Sequence, residues 1–303
     1  MGRLISSLGT TAHMLLTSPA SAFREATEAD AAVRIPLPVS RRVGFAQLAG
    51  GSGTSAAAAA VAAALASRRA GVSLAVNASG GSTHVLRRLP AEDADPRARR
   101  DALPTTLRQA AADLAFPLPR LAALDLQRRD RPTTAAEART WFDEVNPISR
   151  FFDLVVTDWG VRPAAADLAL TALASHVLCL VCRAERHALE DVVAMVPALR
   201  AEPDPPRIVI VSVDVGARGR HDARDVIARE VGVPLIGMPY DAAWSTAIPT
   251  PSRRLSLASR TAVLRLASTV MGEAVASLPS NRAPSNGAPS DRPADDARSA
   301  AVA

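Results

Sequence analysis

The sequence predicts an α/β fold, a mostly parallel sheet with helices on both faces, and three observations carry the prediction. Short apolar runs alternate with segments of helical periodicity along most of the 303 residues, the pattern of successive βαβ units. The first of those runs passes through a cluster of glycines straight into an alanine-rich helical segment. Apolar residues make up 48% of the chain, enough to fill the core of one large α/β domain.

Taken in order, residues 1–39 mix Ser, Thr, Ala and Glu without strong periodicity, and Pro36 and Pro38 punctuate the approach to the first strand. A partly disordered N-terminal arm with room for one helix is expected there. Strands are expected at 43–48, 72–77, 121–126, 152–158, 176–182, 207–213 and 234–238, each a short apolar run of the kind buried in a parallel sheet. The clearest helix is 55–70, where alanine, the best helix former, fills the interior and Gly71 marks the stop. Further helices are expected at 133–143, at 163–174 with Pro163 in its first turn, and at 187–200, 222–231 and 255–276. Across 78–120 Arg and Pro interrupt every apolar pattern, and no element is assigned. From residue 279 the chain is rich in Pro, Ser, Asn and Asp and poor in large apolar residues, the composition of a disordered tail. The predicted organisation is therefore an arm (1–39), one domain (40–278) and a tail (279–303).

Composition excludes several chemistries. The chain contains no lysine, so all 35 basic residues are arginine. A phosphate-loop lysine and a Schiff-base lysine are both ruled out, and any cationic role falls to arginine, whose planar fork does not follow a lysine's path. A net charge of +5 permits nonspecific contact with nucleic acid or anionic lipid. The arginines are scattered, however, with few aromatics between them, so they read as solvated surface and nucleic-acid binding is not expected. No stretch reaches the ~20 apolar residues of a membrane span, and the weak apolar segment 4–16, broken by Gly9 and His13, is a poor signal peptide. The last helical segment sets Arg253, Arg254, Arg260 and Arg265 among Leu257, Val263, Leu264, Leu266, Val270 and Met271; packing on its own sheet is expected in preference to peripheral membrane contact. Cys179 and Cys182 stand three apart in one strand and so on opposite faces, which suits buried thiols and not a zinc site. A reducing cytoplasm fits this cysteine usage.

The most informative segment is VGFAQLAGGSGTS, residues 43–55. A strand runs into Gly50, Gly51, Ser52 and Gly53 and then into the alanine-rich helix. Glycines in such a turn let backbone N–H groups converge on an anion, and the helix N-terminus adds partial positive charge. At the first strand-to-helix junction of an alternating α/β chain this is the context of a phosphate-binding loop; the bland alternative is a tight structural turn.

In this segment the chain resembles the MinD/ParA family of P-loop ATPases, whose variant Walker A motif reads G-K-G-G-x-G-K-[ST]-[ST]. The aligned residues here are Leu48, Ala49, Gly50, Gly51, Ser52, Gly53, Thr54, Ser55 and Ala56. Ala49 and Thr54 stand where the family has its two lysines, which removes positive charge from the phosphates. The likeness continues through SLAVNAS, where Asn77 and Ser79 stand at the family's Asp-x-Asp, and through FFDLVVTDWG, which resembles the Walker B strand with Asp158 retained. Trp159 intervenes before Gly160, where an indole could obstruct a phosphate site. RIVIVSVDV places Ser212 at the position of an asparagine beside adenine, and GVPLIGMPYD places Pro239 and Tyr240 near the base. The resemblance spans roughly residues 40–275. It implies a P-loop NTPase-like fold, ATP or ADP with magnesium as the cofactors to consider, Ser55 and Asp158 as the metal-side residues, and Gly50 to Ser55, Asp158, Ser212, Pro239 and Tyr240 as the nucleotide side. A weaker likeness, carried by Arg34, Pro36, Leu37, Arg41 and Arg42, is to MinD-like proteins that accompany actinobacterial type VII (ESX) secretion systems.

Other chemistries fit less well. A nucleophile elbow needs G-x-S-x-G, and Ser52 lacks the second spaced glycine. The dinucleotide fingerprint fails because alanines follow Gly53 and the second strand ends in Asn77 instead of an acid. Glu190 and Asp191 lie on a helical pattern and read as solvated. Arg162, Arg41 and Arg42 are the arginines considered as substitutes for the lysines. The expectation is a degenerate MinD/ParA-like protein with weak or no nucleotide binding, serving a protein partner as a regulatory or localisation scaffold, with a homodimer as a candidate assembly. The alternatives are an active ATPase of partitioning or positioning, with its cation supplied in trans, and an unrelated α/β enzyme that binds a phosphorylated ligand.

Overall fold

The computed structural model describes residues 19–90, 103–127, 133–163, 165–216, 231–246 and 248–279. The described strands form one eight-stranded sheet: β1 (Arg41–Gln47), β2 (Ser73–Asn77), β3 (Ala115–Leu118), β4 (Leu121–Asp125), β5 (Leu154–Val161), β6 (Val177–Arg183), β7 (Arg207–Val213) and β8 (Leu235–Met238). Their spatial order is β3-β4-β2-β5-β1-β6-β7-β8, and every pairing is parallel except β3 with β4. All seven predicted strands are present, shifted by three residues at most. The eighth, β3, falls in the stretch left unassigned; it contains Pro117 and lies on the sheet's edge, where a missing N–H breaks no ladder.

Helix α1 (Pro19–Val33) precedes the sheet, and α2 (Thr54–Arg68) follows β1. Short helices α3 (Leu107–Ala111), α4 (Ala138–Glu144) and α5 (Asn146–Ser149) come before β5, α6 (Ala165–Leu173) and α7 (Arg186–Arg200) follow β5 and β6, and α8 (Leu257–Ala276) comes after β8. The helix expected at 133–143 begins only at Ala138, because Ala136 N–H is taken by Ala78 O, 3.0 Å away, at the end of β2. The helix expected at 222–231 lies mostly outside the described residues.

Strand alternation divides the core in two. Val43, Phe45, Val156, Val177, Cys179, Val209 and Val211 face α2 and α8, whereas Val155, Leu178, Leu180, Cys182, Ile208 and Ile210 face α4 to α7. Cys179 and Cys182 thus lie in different layers, as expected. Ten residues of α2 are buried, seven of them alanine, so the helix can lie close to the sheet. Helix α8 buries Leu266, Ala267, Val270, Met271 and Ala274 completely, and its Arg265 pairs with Glu25 of α1 at 2.6 Å. None of the described helices is long and apolar enough to cross a membrane. Arg69, just past α2, is buried and donates to Val33 O and Ile35 O at 2.8 and 2.7 Å, which ties the segment after α1 to the domain.

Gly44 lies where a side chain does not fit. A Cβ there would stand 2.5 Å from Ser175 Oγ and 2.9 Å from Trp159 Nε1, both buried. Gly44→Val is expected to destabilise the fold by about 1–3 kcal/mol through overpacking, read from the midpoint of urea unfolding; an unchanged midpoint would show that this layer can relax.

At the amino end of the sheet, His176 Nδ1 accepts the Arg42 N–H at 2.9 Å. Burial first, then the neighbouring Arg42 and Arg41, depress its pKa to about 4. The folded state therefore binds fewer protons than the unfolded chain between about pH 4 and the ordinary histidine value of about 6.5. Stability is full above that window and falls as pH drops through it, by about 1–2 kcal/mol once partial solvation is allowed for. His176→Asn, which keeps an acceptor without the titration, should flatten the slope of stability against pH; an equally steep slope would place the effect elsewhere.

Candidate functional site: a glycine loop at the sheet's carboxyl edge

Strand β1 ends at Gln47, and the loop 48–53 turns the chain into α2. Gly51 and Gly53 have φ of 78° and 83°, left-handed values that a Cβ would strain. Gly53 is also the N-cap of α2 and offers no side chain to cap it, so the first-turn N–H groups give the loop its partial positive charge. The loop is nevertheless engaged by its own chain. Gln47 Oε1 accepts from Ser52 N–H at 3.2 Å and from Thr54 Oγ1 at 2.7 Å, while Ser52 Oγ donates to Ala49 O at 3.0 Å. A neutral amide oxygen thus satisfies donors that the motif leads one to assign to an anion. Outside the loop, Arg183 Nη2 lies 3.5 Å from Gly50 O.

Beside β1, strand β5 carries Asp158, which has no solvent exposure. The register slips between Phe45, opposite Asp158, and Ala46, opposite Gly160, so Trp159 is the extra residue of a bulge. Gly160 turns with φ of 63°, and a Cβ on it would come within 2.6 Å of Ser79 Cβ. That geometry aims its N–H at Asp158 Oδ1, 3.1 Å away. Oδ2 accepts from Val85 N–H at 3.1 Å and, as the longer branch of a proton shared with Asn77, from Ser79 Oγ at 3.4 Å, and the Ser55 hydroxyl bonds the same carboxylate. Burial raises the carboxyl's pKa above its ordinary range, against these four hydrogen bonds, which lower it. The Trp159 indole points into the layer of α4 and α6, 6.1 Å from the Trp141 ring and beneath Gly44. It does not obstruct the loop.

Next to Asp158 across β2 stands Asn77, and next to Asn77 across β4 stands Asp125. Asn77 Nδ2 donates to Asp125 Oδ1 at 2.7 Å, and its Oδ1 accepts from Ser79 N–H and Oγ at 3.1 and 2.8 Å. The row is satisfied internally, and among the described residues no three His, Cys, Asp or Glu side chains group as metal ligands.

A cavity of about 260 Å³ opens between the loop, the end of β7 and the segment after β8. Of the predicted site residues, Gly51, Gly53, Thr54, Ser55 and Tyr240 line it. Gly50, Ser52 and Pro239 lie outside the lining, Asp158 is buried behind Ser55, and Ser212 is buried on the opposite face of β7, opposite Cys182. Val213, Asp214 and Val215 line the cavity instead. Sequence reasoning missed Gln47, Asp214, Asp241 and, above all, Arg88. Arg88 ends a 3-10 turn, Val85–Arg88, inside the stretch with no readable pattern. Its Nη1 donates to Trp244 O at 3.0 Å and Thr246 O at 3.3 Å, and its buried Nε finds no partner among the described residues. The arginines considered from sequence lie elsewhere: Arg162 Nη2 donates to Ala136 O at 2.7 Å and Ala78 O at 3.1 Å, and Arg41 and Arg42 begin β1, whose far end carries the loop.

Comparison with solved structures settles the architecture. MinD complexed with Mg-ADP from Pyrococcus horikoshii OT3 superposes with a TM-score of 0.56 at 16% identity, over 75% of this chain and 94% of that one. This is the fold of the ParA and MinD ATPases. A ParA family ATPase from Chlorobium tepidum TLS gives 0.52 at 19% identity, covering 78% and 98%. The MinC:MinD cell division protein complex of Aquifex aeolicus gives 0.54 at 15%, covering 80% and 99%. No protein-family model and no curated protein matches the chain. In this sheet the loop sits at the carboxyl edge next to β1, where strand order reverses, the usual ligand crevice of an open α/β sheet.

Because Gln47 satisfies two donors in the loop, Gln47→Ala is expected to lower stability by about 1–2 kcal/mol, measured by urea unfolding. A neutral result would mean that water or a rearranged loop replaces the amide.

Proposed function

We propose that this chain is a ParA/MinD-fold protein without efficient ATP turnover, working as a regulatory or localisation platform for a protein partner. The observation that carries the reading is the glycine loop closed on Gln47 in a chain with no lysine. Phosphoryl transfer depends on positioned cations and a metal ion around the transferred group. Here Thr54 and Ala49 replace the lysines. The residues also fit magnesium poorly. Asp158 already accepts from four donors, about the capacity of a carboxylate, and Ser55's proton is one of them. Asn77 and Ser79 are neutral and bonded to one another. A hard divalent cation that wants oxygen ligands would have to break this set.

The likeness of residues 34–42 to ESX-associated proteins makes a membrane-associated secretion assembly the first partner class to test. On this reading, phosphate release from Mg-ATP stays at the protein-free blank, and sedimentation gives the same mass with and without nucleotide. Turnover abolished by Gly53→Arg, together with an ATP-driven dimer, would sink the platform reading and restore a cycling ATPase.

A further inference from the structure

Among the described residues Arg88 is the only arginine in the cavity's lining, and the way it is held there sets it apart from the chain's other arginines. Asp158 Oδ2 accepts the N–H of Val85, the first residue of the turn that ends at Arg88. The buried carboxylate is thus an anchor for the turn, and the turn delivers a half-buried guanidinium to the lining that also includes the uncapped start of α2. Two carbonyls orient that guanidinium, and Nε is left without a partner among the described residues in a desolvated position. A guanidinium with an unused donor beside helix N–H groups suits phosphate oxygens. Tyr240 and Trp244 line the same cavity and offer aromatic surface, Trp244 next to Arg88 through the carbonyl it presents to the guanidinium.

We propose that the cavity takes a nucleoside di- or triphosphate without a metal ion, with Arg88, on the turn anchored by Asp158, supplying the positive charge that the family draws from lysine and magnesium. Arg88 is a binding residue on this proposal, and Asp158 positions it. The inference rests on the reading of this pocket as a degenerate nucleotide site and deepens it by naming the source of charge.

The test is calorimetric titration of ADP and ATP into the full chain, once in EDTA and once in excess magnesium. Wild type, Arg88→Gln, Arg88→Lys and, as an exposed control, Arg139→Gln are compared, with circular dichroism to confirm folding. Expected are equal wild-type affinities with and without magnesium, unchanged binding in Arg139→Gln, at least tenfold weaker binding in Arg88→Gln, and partial recovery in Arg88→Lys. Binding that requires magnesium, binding indifferent to Arg88, or no wild-type binding at millimolar ligand would each overturn the proposal. Should Arg88→Gln fail to fold, the magnesium comparison on wild type and the Arg88→Lys titration still decide. None of these results touches the platform reading, which falls only to measured ATP turnover with nucleotide-driven dimerisation.

Discussion

A carboxylate sealed from water has to be answered by donors, and the arrangement around Asp158 follows from that requirement. Its four partners come from four places in the chain: the first turn of α2, the loop after β2, the 3-10 turn beyond it, and the bulge of β5. Each is thereby held at the carboxyl edge of the sheet. The bulge in turn depends on Gly160, because only a residue with no Cβ can turn there against Ser79. Removing one partner from such a group leaves a buried charge under-satisfied, a larger penalty than the loss of one surface hydrogen bond. The site is therefore a single hydrogen-bonded unit, and an acid committed to four internal donors constrains what the neighbouring cavity can bind.

The glycine loop answers a related requirement differently. A turn built to gather N–H groups leaves them unsatisfied unless something accepts from them. In this chain the acceptor is Gln47, the last residue of β1, and Thr54 adds its hydroxyl to the same oxygen. By its resemblance to the MinD/ParA motif, Thr54 stands at the position of a lysine. With a short side chain there, the turn closes inward on a neutral amide, and the positive charge that remains nearby comes from neighbouring elements, Arg88 on one side and Arg183 on the other.

These differences explain which parts of the molecule were legible in the sequence. The parallel strands were, because strands covered on both faces read as apolar runs whatever their neighbours. The glycine loop was, because its residue types and its place between strand and helix are local properties. β3 was not, since an edge strand with a proline lacks that run. Nor was Arg88: a guanidinium is aimed by the tertiary contacts of its backbone, and the contact that aims this one, Val85 with Asp158, joins residues 73 apart in sequence. Trp159 failed in the opposite sense. Next to a retained acid it looked like an obstruction, but the bulge rotates successive side chains, and the indole goes into the far layer beneath Gly44.

The two buried layers also bear on how far the site can change. Gly44 admits Trp159 into one layer, and the alanines of α2 fill the other. Gly44 lets side chains approach the backbone of β1 closely, and interiors packed at that density move between discrete arrangements more readily than they deform. A ligand entering beside α2 therefore meets a loop already closed and a floor that does not yield. The side chains free to respond are at the rim, where Tyr240 is 42% exposed and Arg88 is held by carbonyls of the segment after β8. The described part of the segment between β8 and α8 supplies both the exposed ring of Tyr240 and the carbonyls that hold Arg88, so the rim depends on that segment and not on the glycine loop.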